Sequence, residues 1–192
     1  MRDEFRIPRA RIPAKRVALI AARPRLAAAT ALVALAWLAP GAALAARTPA
    51  ASDPYVAASR ATGVPIALLA AIAGVESDYH PWALDVAGRE IYCRSRAEAE
   101  RVLATSGDNV DIGLMQVNWK FWGPRLKVSK LKLLDPRNNL FFGALILKRC
   151  LSRGGDIWRR ISDYHSGNAG ARNRYNRRVY AKYLRYLRGD PR

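Results

Sequence analysis

The chain has 192 residues, with 33 Lys plus Arg against 15 Asp plus Glu and a formal net charge of +18. That length fits one domain able to bury a core without staples. So basic a balance points to an anionic partner: nucleic acid, a membrane surface or an acidic polymer. The chain contains no GxGxxG, P-loop, HExxH or nucleophile-elbow motif, and its two histidines, His80 and His165, do not pair with Cys93 and Cys150 at metal-binding spacing. Dinucleotide, nucleotide and zinc chemistry are therefore not expected, and neither is a cofactor or a metal.

Residues 1–45 carry 8 basic and 2 acidic side chains, which leaves a net of +12 on the rest. Basic residues from Arg2 to Arg25 precede an uncharged run, Leu26 to Ala46, that is broken at Pro40-Gly41 and carries Ala43-Leu44-Ala45. This order predicts a secretory signal peptide over 1–45. The alternative is an N-terminal anchor, since the run is about long enough to cross a bilayer. Either way the body of the chain is expected outside the cytoplasm: periplasmic, or anchored to the inner membrane if the segment is retained. Nucleic acid then recedes as a partner, and anionic cell wall gains. An oxidising compartment also favours a Cys93–Cys150 disulfide, closing a loop of about 57 residues worth roughly 4 kcal/mol in the chain-entropy picture.

After a linker at 46–52, a domain is expected over 53–188. Asp53-Pro54 reads as a helix cap followed by Pro at the first helical position, with Gly63 as the stop. Pro65 then opens a segment with no charge before Glu76, which reads as a helix buried on all sides. A carboxyl at the end of such a helix is raised in pKa by burial and by the negative end of the helix dipole. That makes Glu76 a candidate general acid, the alternative being a helix-ending Glu whose head reaches water. Ile91 to Cys93 reads as a short strand, and Ser95 with Glu98 has capping-box spacing for a helix to Leu103. Asp111 to Gly123 mixes Gln116 and Asn118 with Trp119, Phe121 and Trp122. Such a stretch suits either a sugar-stacking cleft or a loop that plugs the core. Leu126 to Leu134 is basic and amphipathic. Asp135-Pro136 caps a second core helix, Asp156 caps another to about Tyr164, and a basic helix runs from about Ala171 to Leu187. In the last, Tyr175, Val179, Tyr183 and Leu187 form one stripe at helical spacing, with Tyr180 and Tyr186 off it. The class is mainly α, with at most a small β-hairpin.

Four blocks in order carry a family resemblance: Ala73-Gly74-Val75-Glu76-Ser77-Asp78-Tyr79, Asp111-Ile112-Gly113-Leu114-Met115-Gln116-Val117-Asn118, Leu134-Asp135-Pro136 with Asn139, and Ser162-Asp163-Tyr164-His165-Ser166-Gly167. Together they resemble the lytic transglycosylase (SLT) domain of the lysozyme-like superfamily, from about residue 53 to 180. They look most like its small members associated with conjugation, type IV or type III secretion, or pili. In the last block His165 stands where Asn is usual and Ser166 where Ala is usual, and the segment Gly88 to Ser106 is longer than in many members.

The resemblance implies an α+β lysozyme-like fold and a single catalytic carboxylate, Glu76. Glu76 would protonate the bond between N-acetylmuramic acid and N-acetylglucosamine. As a base, it would then take the proton of the muramoyl 6-hydroxyl, giving 1,6-anhydromuramoyl ends. Ser77, Gln116, Asn118 and Tyr164 would orient the sugar. The expected partners are peptidoglycan glycan strands and components of secretion, conjugation or pilus machinery, with no nucleic acid, and the chain acting as a monomer. Two other readings stay open: a water-adding muramidase with Asp111 as second carboxylate, and a non-catalytic glycan-binding module. Asp78, two residues from Glu76, would point elsewhere on a continuing helix.

Overall fold

The computed structural model describes residues 53–165 and 168–190, within one compact unit spanning Pro49–Arg192. The expected signal segment, the linker, Ser166 and Gly167 lie outside the described residues. The helix starts follow local chemistry. Asp53 caps α1 (Pro54–Thr62) by accepting from Tyr55 N, and left-handed Gly63 ends it. Ser95 caps α3 (Arg96–Thr105), while the Glu98 carboxylate accepts from Arg94 N one residue outside the expected box.

The core is built around α2 (Ile66–Glu76), in which Leu68 to Val75 are all buried. It packs chiefly against α8 (Ala169–Leu187), and α1 packs against α6 (Pro136–Leu151), capped by Asp135. Gly74 makes the α2–α8 approach possible: a Cβ there would stand 2.6 Å from the Tyr79 ring and 2.7 Å from Lys182 Cδ. Asp78 and Tyr79 both take positive φ, turning the chain back so that Tyr79 lies over that glycine. In α8, Tyr175, Val179 and Tyr183 are buried as the stripe predicts. Leu187, the last residue of the helix, is not, being 59 % exposed. Tyr180, off the stripe, packs edge-on against Trp158 of α7 (Ile157–Ser162), which ends two residues earlier than expected.

The expected hairpin is β1 (Ala83–Val86) with β2 (Arg89–Tyr92). Two further short strands, β3 (Val110–Ile112) and β4 (Val117–Asn118), extend it to an antiparallel sheet of order β2-β1-β3-β4. Directly opposed residues share a face in such a sheet. One face therefore carries the apolar rank Ile91, Leu84, Ile112 and Val117, and the other carries Glu90, Asp85, Asp111 and Asn118. The aromatic stretch after β4 is a helix rather than a loop: α4 (Trp119–Leu126), capped by Asn118 and closed by left-handed Lys127. It is followed by the single turn α5 (Lys130–Leu133). Trp119 turns inward, donating from Nε1 to Val128 O, whereas Phe121 stays on the surface under the Arg125 guanidinium. Among the described residues no single helix is long and apolar enough to cross a membrane.

The expected disulfide is not formed: Cys93 and Cys150 are both free, buried thiols. They lie in separate surroundings. Cys93 follows β2 near Glu98 and Arg101, and Cys150 sits in the last turn of α6 near Arg153 and Asp163. A bridge needs the two Cβ atoms about 4 Å apart, which compartment and spacing along the chain do not determine.

Candidate active site

Glu76 is the last residue of α2, and its Oε1 accepts a 2.8 Å hydrogen bond from the Tyr175 hydroxyl of α8. Burial pushes its carboxyl from the ordinary 4.5 up to about 7. The Tyr175 bond and the Arg178 charge oppose that rise, and the charge of Asp111 adds to it. The group is thus poised to give up a proton and take one back near neutral pH. Burial first, and the Glu76 charge second, hold the phenols of Tyr164 and Tyr175 far above their usual range, so both remain donors. Arg178 also donates to Val75 O at the end of α2, supplying the positive charge that a helix C-terminus favours.

Tied to the end of α2 through Ser77, the residue after Glu76, is the turn from Ile112 to Gln116, of which the carbonyls of Ile112 to Met115 each accept from a side chain. Asn139 Nδ2 donates to Ile112 O at 2.7 Å and Gln116 Nε2 to Gly113 O at 2.8 Å. Ser77 Oγ donates to Leu114 O at 2.9 Å and the Tyr164 hydroxyl to Met115 O at 2.8 Å. Asn139 closes the cradle by accepting from Met115 N at 2.8 Å. Gly113 takes φ +76, and a Cβ there would meet Asn139 Nδ2 at 2.5 Å; a Cβ at Gly143 of α6 would meet Met115 Cβ at 2.6 Å. The turn is thereby clamped between α2, α6 and the segment after α7.

Three of the side chains expected to orient the sugar hydrogen-bond the backbone of this turn. Ser77 is 1 % exposed and turned to backbone, and Gln116 also donates to Ala83 O. Tyr164 reaches the turn from 49 residues away. Asn118 spends its Oδ1 on the α4 cap and its amide on Asn109, and it stands opposite Asp111 on the neighbouring strand. Asp111 is raised by burial, lowered by the neighbouring Asn118 amide and raised again by Asp85 opposite it on β1. Asp78, by contrast, is exposed and paired with Lys182 at 2.9 Å; the helix does not continue past Glu76 as that expectation supposed, and Asp78 lies in the left-handed turn that follows it. His165 stacks flat on Tyr175, with ring centres 4.7 Å apart and planes 6° apart, and burial followed by the Arg178 charge lowers its imidazole pKa. Just before Tyr164, Asp163 receives Arg160 at 2.9 Å, Arg172, and Arg153 at 3.8 Å, tying α7 to α8.

The residues missed from sequence are Tyr175 and Arg178. One signal was available: a Tyr in a buried stripe must find a partner for its hydroxyl. Residues 53–186 match the family model described as the transglycosylase SLT domain. No curated protein and no solved structure matches the chain.

Proposed function

The chain belongs to the transglycosylase SLT domain family, whose activity is lytic transglycosylation of peptidoglycan, and from that premise we propose that Glu76 is its one catalytic carboxylate. The observation that carries this reading is the single Tyr175 bond to a carboxyl raised to about 7. In the first half of the reaction the protonated Glu76 donates to the bridging oxygen between N-acetylmuramic acid and N-acetylglucosamine. The anomeric C–O bond breaks and the departing oxygen keeps the proton. The substrate's acetamido group stabilises the positive charge at the anomeric carbon. In the second half the Glu76 carboxylate takes the proton of the 6-hydroxyl, whose oxygen bonds to the anomeric carbon. A 1,6-anhydromuramoyl end results, no water is consumed, and Glu76 regains its proton. The Tyr175 hydroxyl supports the carboxylate midway without being able to protonate it.

The roles of Ser77, Gln116 and Tyr164 change in this reading. They hold the turn at Gly113 to Gln116 in place beside the end of α2, and Asn118 stands opposite Asp111 on the neighbouring strand. The test is Glu76→Gln assayed on purified sacculi, with the released muropeptides weighed by mass spectrometry. The expected result is anhydro ends from the native chain and none from the variant; an active variant would sink the assignment. Asp111 favours a second reading, because its charge reaches Glu76. A hydrolase using Asp111 would release reducing ends instead.

Export through the 1–45 segment into the periplasm, a domain bounded at 53–188, and local wall opening for a secretion, conjugation or pilus machine complete the proposal. The basic excess of the chain suits an anionic wall. Fractionation of cells expressing the full chain, with mass measurement of the exported form, tests the first. Loss of machine assembly in cells carrying only Glu76→Gln tests the last.

A further inference from the structure

The polar face of the sheet extends beyond the neighbours of Glu76. Tyr92 lies opposite Ala83, and Ala83 shares its face of β1 with Asp85, which lies opposite Asp111. Tyr92 therefore stands on the same wall as Asp111, whose charge Glu76 feels. From the other side its phenol feels Asp78 and Arg178, the residues that flank the end of α2. Two strand spacings across the sheet and two residues along it, about 12 Å in all, separate it from Asp111.

The ring is 52 % exposed, yet it is held in place. His80 meets it edge-on at 5.5 Å and is itself edge-on to Trp82 at 6.5 Å, while His80 Nδ1 accepts from Trp82 N. Glu90, two residues earlier on the same face of β2, stands beside it, and its charge adds to burial in raising the phenol. A braced, half-exposed ring on the same sheet face as Asp111 offers an apolar plane to the C–H face of a sugar at little entropic cost.

Resting on the transglycosylase reading above, we propose that Tyr92 is a stacking platform for a glycan ring distant from the scissile bond, so that the enzyme favours long glycan strands over short ones. The hairpin that carries it would then act as a length gauge. Only a glycan strand that continues about 12 Å past Asp111 reaches the ring.

The full chain with Tyr92→Ala and, separately, Tyr92→Phe is assayed on long glycan strands and on a tetrasaccharide, with circular dichroism as a check of folding. For Tyr92→Ala, KM on long strands is expected to rise about 5- to 10-fold with kcat unchanged and the tetrasaccharide unaffected. Tyr92→Phe should behave as the native chain. The proposal is overturned if KM on long strands stays within about twofold, if both substrates suffer alike, or if Phe behaves as Ala. Sedimentation with sacculi in the Glu76→Gln background separates this from the catalytic reading. If the native chain cleaves neither substrate, weaker pelleting on adding Tyr92→Ala still supports the platform, and unchanged pelleting overturns it.

Discussion

The Tyr175 hydroxyl reaches Glu76 Oε1 at 2.8 Å from a helix that begins long after α2 has ended, 99 residues along the chain. This bond favours the carboxylate, whereas burial favours the acid, and the balance leaves Glu76 at about 7. Removing the bond with Tyr175→Phe should shift the balance toward the acid. The alkaline limb of kcat/KM is expected to move up by on the order of one pH unit, with stability changed little because the ring still packs. A pH–rate profile on sacculi checks this; an unmoved limb would show that the bond does not tune Glu76.

Asp111 acts in the opposite direction, since its negative charge raises Glu76. Asp111→Asn keeps the shape and should move the same limb to lower pH, while anhydro ends remain the product. Loss of all turnover together with reducing ends in the native digest would instead make Asp111 the second carboxylate of a hydrolase.

The raised Glu76 also predicts how stability depends on pH. Its folded value of about 7 lies above the unfolded 4.5, so the folded state binds more protons between them. Its contribution to stability is complete below about 4.5 and is lost as pH rises through about 7, by up to about 3 kcal/mol. Glu76→Gln should flatten that slope and be the more stable protein above pH 7. Urea unfolding at a series of pH values measures both.

Asn139 is fully buried and makes three hydrogen bonds, to Met115 N, Ile112 O and Leu133 O. Asn139→Ala leaves all three backbone groups without their partner and is expected to cost about 3 kcal/mol. Turnover should fall with it, since the turn tied to the end of α2 loses its clamp on the α6 side. Thermal unfolding and turnover on sacculi, compared with Asn139→Asp, which keeps only the acceptor side, check this.

Much of the helical framework was legible because its signals are local. Asp53-Pro54, Ser95, Asp135-Pro136 and Asp156 all cap the helices they were expected to cap, since a cap bonds within a few residues of itself. Asp111 to Gly123 was not legible in the same way. Its glycine and aromatics resemble a loop, but Asn118 caps a helix there and Trp119 packs inward on Gly123 and Val128. The stripe in α8 placed Tyr175 in the core, yet periodicity says nothing of where a hydroxyl ends.

The uncharged stretch before Glu76 marked α2 by itself as a helix buried on all sides, because a run without charge leaves no face for water, and it marked Glu76 as a candidate acid; whether that carboxyl is itself buried was left to the packing. The four blocks determined the family. Only the tertiary structure decided that Tyr175 donates to that carboxyl, and that Ser77, Gln116 and Tyr164 serve the backbone of one turn. It also decided that Cys93 and Cys150 stay apart as free thiols. A side-chain hydroxyl, amide or thiol meets whatever packing brings within about 3–4 Å, and packing joins residues that spacing along the chain leaves unrelated.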